Sequence, residues 1–111
     1  MSYVPERGHI IWIDFDPQAG HEQAGRRPAL VLTPLKYNRK TSLVIACPIT
    51  REIKGYAFEV LIPDGAAVTG VVLADQVKCL DWRARNASYV GEMPEIVIED
   101  VFDMLGGLLQ L

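Results

Sequence analysis

Short runs of branched and aromatic residues, separated at close intervals by turn-forming residues, most constrain the fold of this 111-residue chain. Such runs are typical of β-strands, and the glycine, proline and asparagine residues between them favour tight turns. Six strands are predicted in this way, over residues 9–15, 28–33, 42–49, 56–62, 70–74 and 77–82. Many short strands in close succession indicate a compact antiparallel barrel or a curled sheet.

The end of the chain has a different period and predicts a helix. Pro94 is suited to opening a helix, and apolar residues with three-four spacing follow it: Ile98, Val101, Phe102, Leu105, Leu108 and Leu109. A helix with one apolar face must bury that face. Both the protein's own core and a partner subunit are candidates to cover it. A single helical turn over residues 37–40 is also compatible with the sequence.

Length and composition predict one globular domain over residues 1–111, because half of the residues are hydrophobic and 23% are charged. No apolar run approaches the roughly 20 residues that span a bilayer. The first residues lack the apolar region of a secretory signal, so we expect a cytoplasmic protein. Cys47 and Cys79 have no metal-binding spacing, even together with His9 and His21. We therefore expect reduced, packed thiols, no metal and no other cofactor.

The charge of the chain is unevenly distributed, although its net value is only −3. Residues 18–58 contain seven Lys/Arg against two acidic residues, a local charge of +5. Residues 86–111 contain five acidic residues and no Lys/Arg, a local charge of −5. This asymmetry indicates either a basic binding face on an acidic body or simply a solvated surface.

The segment over residues 20–28 lies between two predicted strands and is unusually rich in chemically active groups. It carries an imidazole, a carboxylate, a carboxamide and two guanidiniums: His21, Glu22, Gln23, Arg26 and Arg27. Loops on a rigid sheet are common sites of binding and catalysis, and guanidiniums bind phosphate through paired hydrogen bonds. The plainer interpretations are an exposed histidine, and a Glu22 that pairs with Arg26 or Arg27.

If this loop binds RNA, the substrate's own 2′-hydroxyl can attack the adjacent phosphorus without a metal. The protein must then accept one proton, donate another and stabilise the added negative charge. Glu22 or His21 can accept a proton, and Arg27 can neutralise charge. Thr50, just before Arg51, can donate a hydrogen bond to phosphate or can be only a strand-end hydroxyl. No dense cluster of acidic residues for a two-metal reaction is present in the sequence.

Two further motifs have both a functional and a plain interpretation. Trp82 stands beside Arg83 and near Arg85. These residues can stack on and clamp RNA, or they can form an edge strand with solvated arginines. Asp75 and Gln76 interrupt two predicted strands, either as a tight turn or as a carboxylate and a carboxamide that read a base.

One ordered series of segments covers nearly the whole chain: residues 8–17, 20–34, 37–38, 47–50, 54–56, 70–78 and 81–85. Together these segments resemble the MazF/PemK-type toxins, and the MazF branch in particular. The resemblance implies an SH3-like barrel with a C-terminal helix, acting as a homodimer. It also implies a metal-independent, sequence-specific endoribonuclease that cuts single-stranded RNA to 2′,3′-cyclic phosphate and 5′-hydroxyl ends.

The resemblance also assigns roles to individual residues. The family's catalytic arginine and threonine correspond to Arg27 and Thr50, and its loop glutamate, a proton-transfer group, corresponds to Glu22. The Kid/PemK branch has an arginine two residues before the aspartate that matches Asp75, but this chain has Leu73 there. Binding or structural support is therefore the expected role of Asp75. The expected RNA-binding residues are His21, Gln23, Arg26, Arg51, Lys54, Asp75, Gln76, Lys78, Arg83 and Arg85.

The family further implies a MazE-like antitoxin, whose acidic tail would cover the basic groove and compete with RNA. Two alternatives use the same fold: a gyrase poison of the CcdB type and a non-catalytic SH3-like binding module. The chain ends without the Trp-Gly-Ile of CcdB-type poisons, which counts against the first. The joint presence of Glu22, Arg27 and Thr50 counts against the second.

Overall fold

The computed structural model describes residues 2–17 and 20–111. In these residues, seven strands and two helices follow one another: β1 (His9–Asp14), β2 (Arg26–Val31), α1 (Leu35–Thr41), β3 (Leu43–Thr50), β4 (Glu59–Leu61), β5 (Val71–Leu73), β6 (Lys78–Asp81), β7 (Ser88–Glu92) and α2 (Glu95–Leu109). A short 3₁₀ turn, Ala74–Gln76, separates β5 from β6.

The strands form one antiparallel sheet in the order β4-β5-β3-β2-β1-β7, with β6 paired to β3 outside this path. The first half of β3 pairs with β6 and its last two residues pair with β5. β6 and β5 therefore pair one after the other along the same edge of β3, and the sheet curls. The predicted curled antiparallel sheet with a C-terminal helix is confirmed.

Two buried clusters fill the curled sheet. One lies between the sheet and α2, and includes Leu30, Val72 and Val101. The other is centred on Phe15, Val44 and Trp82. The residues of α2 that face the first cluster are Val97, Ile98, Val101 and Leu105. The protein's own core thus covers this side of the helix, while Phe102, Leu108 and Leu109 are exposed.

Element bounds differ from the sequence prediction at several points. β2 begins at Arg26, so the last residues of the segment 20–28 belong to a strand rather than to a loop. α1 extends beyond the predicted single turn, and β4 is only three residues long. β7 was not predicted, because most of its side chains are exposed or half-buried and its place is set by backbone pairing with β1.

The two cysteines are free and lie in different environments. Burial, and secondarily the charge of Asp75, raises the pKa of the Cys47 thiol from 9.0 to about 12. Cys47 therefore stays protonated in the folded protein at neutral pH. Cys79 is exposed on β6, so the prediction of two packed thiols was wrong for this residue. Cys79 and the buried Leu80 are neighbours in β6, so their side chains point to opposite faces of the strand.

The buried side chain of Asn38 links α1 to the chain's N-terminal segment. Its amide nitrogen donates to the carbonyl oxygens of Pro5 (2.8 Å) and Thr33 (2.9 Å), and its amide oxygen accepts from the Thr33 hydroxyl (2.6 Å). The indole nitrogen of Trp82 donates to the Asn38 backbone carbonyl at 2.9 Å. Asn38 is fully buried, and every polar atom of its side chain is paired.

We predict that Asn38→Ala lowers the free energy of unfolding by about 2–4 kcal/mol, because it removes a fully buried amide and leaves the carbonyl oxygens of Pro5 and Thr33 without its donor. Urea denaturation followed by circular dichroism measures this change. Lys40→Ala, an exposed change in the same helix, is the control and should stay within about 0.5 kcal/mol of the parent. Equal stability of the two variants would contradict the structural role of Asn38.

Candidate active site

Strand register brings Arg27 and Thr50 together. In the β2–β3 pair, Ala29 lies opposite Pro48, and continuing this antiparallel register by two residues places Arg27 opposite Thr50. On its other side, Arg27 lies opposite Ile13 of β1. Arg27 and Thr50 both line one hollow of about 460 Å³. Residues that are 23 positions apart in the chain thus meet at one surface.

This first hollow combines cations with an apolar wall. Three arginines, Arg26, Arg27 and Arg51, line it together with Thr50. The apolar wall consists of Trp12, Pro28, Ile49, Ala67, Val68 and Val90. Trp12 is 39% exposed while Phe15 is fully buried, so Trp12 is the accessible one of these two aromatic residues. Phosphate and a stacked base both suit such a surface.

A second hollow, of about 300 Å³, opens on the other side of Thr50. Its predicted members are His21, Gln23, Thr50, Lys54, Asp75 and Gln76. Sequence reasoning did not single out Glu52, Phe58 or Glu59, which also line it. Because Thr50 lines both hollows, it marks the point where they meet.

The hydroxyl of Thr50 and the wall beside it are held by local hydrogen bonds. The hydroxyl oxygen of Thr50 accepts from the Glu52 backbone at 3.1 Å. The carboxylate of Glu59 accepts from the backbone of Lys54 and Gly55, at 3.2 and 3.0 Å. A hydroxyl that accepts through its oxygen can still donate its own proton to a ligand. Thr50 is therefore oriented without losing its donor.

The segment before β2 is tied to this surface at several points. Arg27 Nε donates to the Ala24 carbonyl at 2.9 Å, and the Gln23 backbone donates to Gln76 Oε1 at 2.9 Å. The carboxylate of Glu22 forms an ion pair with Lys78 Nζ at 3.5 Å, a partner that the sequence did not predict. Asp75 stands next to Gln76 in the 3₁₀ turn and lines the second hollow.

Arg83 and Arg85 lie outside the lining of both hollows. The guanidinium of Arg83 stacks over the ring of Trp82, 4.5 Å from its centroid, and donates to the Ser42 hydroxyl. Arg85 donates to the carbonyl oxygens of Asp14 and Asp16. The remaining predicted residues line a hollow or, like Glu22 and Lys78, adjoin one.

A curled sheet with a C-terminal helix thus carries one hollow that is lined by three arginines and by Thr50. The family model of the PemK-like, MazF-like toxins of type II toxin-antitoxin systems matches residues 6–109. The Escherichia coli K12 endoribonuclease toxin MazF is 54% identical over 89 residues, which are 80% of this chain and 79% of the relative. This chain therefore belongs to the PemK/MazF family.

Solved structures agree with this assignment. The crystal structure of MazF from Deinococcus radiodurans superposes with a TM-score of 0.96 at 54% identity, covering 99% of this chain and 100% of that one. A MazE-MazF crystal structure from the same organism superposes with a TM-score of 0.90 at 54% identity, covering 99% of both chains.

We predict that Glu22→Gln changes the free energy of unfolding by less than about 1 kcal/mol. The Glu22 and Lys78 side chains are 46% and 27% exposed, and ion pairs in such surroundings contribute little to stability. Thermal and urea denaturation measure the effect. A loss well above this value would show that Glu22 is mainly structural and would weaken its assignment to proton transfer.

Proposed function

We propose that this chain is a MazF-type endoribonuclease toxin of a type II toxin-antitoxin system that cuts single-stranded RNA without a metal ion. We further propose that residues 1–111 form one such domain and that the reaction takes place at Arg27 and Thr50. The observation that carries the proposal is that Arg27 and Thr50 line the same hollow, and that Thr50 also lines the second one. Membership of the PemK/MazF family supports the enzyme class.

In the proposed reaction the 2′-hydroxyl of one nucleotide attacks its own 3′-phosphorus. A new P–O2′ bond forms and the P–O5′ bond breaks, which leaves a 2′,3′-cyclic phosphate and a 5′-hydroxyl. One proton leaves the attacking oxygen and one reaches the departing oxygen. Between these events the phosphorus carries extra negative charge, which fixed donors stabilise.

Arg27 is the proposed charge stabiliser. Its Nε–H is already bonded to the Ala24 carbonyl at 2.9 Å, so its Nη hydrogens are the donors that would meet the phosphate oxygens. The same bond fixes the guanidinium before substrate arrives, which is what charge stabilisation requires. Thr50 would add a hydrogen bond from its hydroxyl. Glu22 is the proposed proton-transfer group, since an ionised carboxylate can accept the 2′ proton.

The second hollow is the proposed binding site for a nucleotide next to the cleaved phosphodiester. Phe58 offers a ring for stacking, while Gln76 and Asp75 offer hydrogen-bonding groups for a base edge. His21, Gln23 and Lys54 would hold the backbone or the base from the other side. Arg26 and Arg51 of the first hollow, with Lys78 beside Glu22, would contact phosphates. Arg83 and Arg85 are not placed at this surface, because both lie outside the lining of the two hollows.

A MazE-like antitoxin is the proposed protein partner. MazE-MazF complexes are known for the D. radiodurans protein, and the cations around the two hollows would attract an acidic segment as they attract RNA. A homodimer in the cytoplasm is also proposed. No helix of the described residues could cross a membrane. The relatives' endoribonuclease activity favours this function over gyrase poisoning or a silent binding module.

The purified protein, mixed with a long single-stranded RNA in EDTA, should cut at a small set of defined sites. We expect 2′,3′-cyclic phosphate and 5′-hydroxyl ends, because the nucleophile belongs to the RNA and the protein supplies the charge stabilisation. Primer extension locates the cuts, and end-specific enzymes identify their chemistry. Intact RNA in EDTA, with cutting restored by magnesium, would overturn the proposed mechanism.

Arg27→Ala should lower the single-turnover cleavage rate by ~10²-fold or more while leaving the protein folded, since a fixed donor to the developing charge is lost. The matched control is Arg39→Ala, an exposed arginine of α1 outside both hollows. It removes the same charge and should cut at nearly the parental rate. Similar rates for Arg27→Ala and the control would reject Arg27 as the stabiliser.

A further inference from the structure

The turn between β6 and β7, residues 82–87, contacts the ends of the loop that carries Glu22 and leads into β2, where Arg27 lies. We call this the β6–β7 turn, and we call the described residues 15–17 and 20–25 the β1–β2 loop. The turn is closed by its own hydrogen bonds, from Arg85 to the Asp81 carbonyl (3.0 Å) and from Ala87 to the Trp82 carbonyl (3.0 Å). Trp82 anchors it in the second buried cluster.

Arg85 joins this turn to the start of the β1–β2 loop. Its Nη1 donates to the carbonyl oxygens of Asp14 (3.0 Å) and Asp16 (2.7 Å). Its own carbonyl accepts from the Asp14 backbone at 3.1 Å. Three hydrogen bonds from one residue thus hold the backbone on both sides of the buried Phe15.

The same backbone closes the other end of the loop. The Phe15 backbone donates to the Gly25 carbonyl at 2.9 Å, and the Gly25 backbone donates to Asp16 Oδ1 at 2.9 Å. Gly25 follows Ala24, whose carbonyl holds Arg27 Nε at 2.9 Å. Hydrogen bonds at Asp16, Gly25 and Ala24, joined by short stretches of backbone, therefore link Arg85 to Arg27, the proposed charge stabiliser.

Arg26 strengthens the same connection. Its Nη2 donates to the Asn86 carbonyl at 2.7 Å, and its Nη1 lies 3.4 Å from Asp14 Oδ1. Asn86 Nδ2 donates to the other oxygen of that carboxylate at 3.3 Å. Arg26 therefore bonds to the β6–β7 turn as well as lining the first hollow. Arg27, its neighbour, is the proposed charge stabiliser.

We propose that Arg85 is a positioning residue for RNA cleavage, which fixes the base of the β1–β2 loop and through it the placement of Arg27. The proposal rests on the proposed endoribonuclease function. Small displacements of a reacting group cost large factors in rate, whereas RNA affinity is spread over many phosphate contacts. Loss of Arg85 should therefore lower kcat much more than it weakens binding.

Arg85→Ala is expected to lower kcat on the order of 10-fold or more. Its dissociation constant for an uncut RNA oligonucleotide with 2′-deoxy nucleotides should stay within about threefold, with an unchanged salt dependence. Arg39→Ala again serves as the charge-matched control. Unchanged kcat would overturn the proposal. So would weaker binding whose salt slope falls by about one, the sign of a lost phosphate contact.

Asp16→Ala provides a second, independent variant, because it removes the Gly25 contact without removing a positive charge. If the hydrogen-bond path matters, this variant should also lower kcat, and the double variant Asp16→Ala/Arg85→Ala should lose little more than the worse single one. If Arg85 instead acted on RNA by its charge, removing an acidic residue would not slow cleavage. Parental kcat in Asp16→Ala would contradict the proposal.

Amide hydrogen exchange separates this inference from the enzymatic function. In Arg85→Ala without RNA, the backbone amides of Phe15 and Gly25 should exchange faster, while those of Leu30 and Val44 in the core strands should stay protected. This outcome supports the positioning role even if the parent protein cuts no RNA. Unchanged exchange at Phe15 and Gly25 would overturn the positioning role even if the parent protein is active.

Discussion

The register of β3 against its neighbours is the constraint on which the rest of the structure depends. β3 pairs with β2 along one side, and with both β6 and β5 along the other. The first pairing places Arg27 opposite Thr50, and the last places Val71 opposite Thr50. A shift by one residue would reverse the face of every side chain on the strand. Both buried clusters and the meeting of the two hollows would then be lost.

Gly70 shows how closely the chain is packed at this junction. It precedes β5 and has a φ of +114°, in the region that favours glycine. A Cβ atom there would overlap the backbone carbonyl of Thr50. The close approach lets β5 pair with the last residues of β3, so the hydroxyl of Thr50 lies at the edge of a fixed backbone rather than on a free strand end.

The cationic residues divide into two groups with different physical tasks. Arg85 and much of Arg26 are bonded to backbone carbonyls and a carboxylate of the protein. Arg27 and Arg51 line the first hollow, where a phosphate can reach them. In the proposed positioning role, the bonds of Arg85 fix the base of the β1–β2 loop and through it Arg27. Preorganisation of this kind lets fixed donors stabilise charge without reorganising during the reaction.

Much of the fold could be predicted from the sequence, because alternating branched residues and turn formers act over short distances. β7 could not, since its side chains carry little pattern and β1 positions it through the backbone. The same limit applies to the site. The sequence indicates residues 20–28 as one group of candidate site residues. It could not predict the ion pair of Glu22 with Lys78, because these residues are 56 positions apart.

The different partners of Arg26 and Arg27 could not be predicted from the sequence either. Two adjacent arginines look equivalent until β2 is extended and the β6–β7 turn is placed beside it. Arg26 then meets Asn86 and Asp14, while Arg27 bonds to the carbonyl of Ala24 in the preceding β1–β2 loop. Likewise, the sequence predicts Arg83 and Arg85 as RNA contacts but could not show that their guanidiniums also contact the protein.

The most direct measurement uses a short RNA containing one mapped cut site, with the 2′-hydroxyl at that site replaced by hydrogen. The protein supplies no nucleophile in the proposed reaction, so this RNA should bind about as tightly as the natural one and remain uncut in EDTA. Cleavage of the substituted RNA at the same position would contradict the central claim, because the attacking oxygen would then have to come from elsewhere.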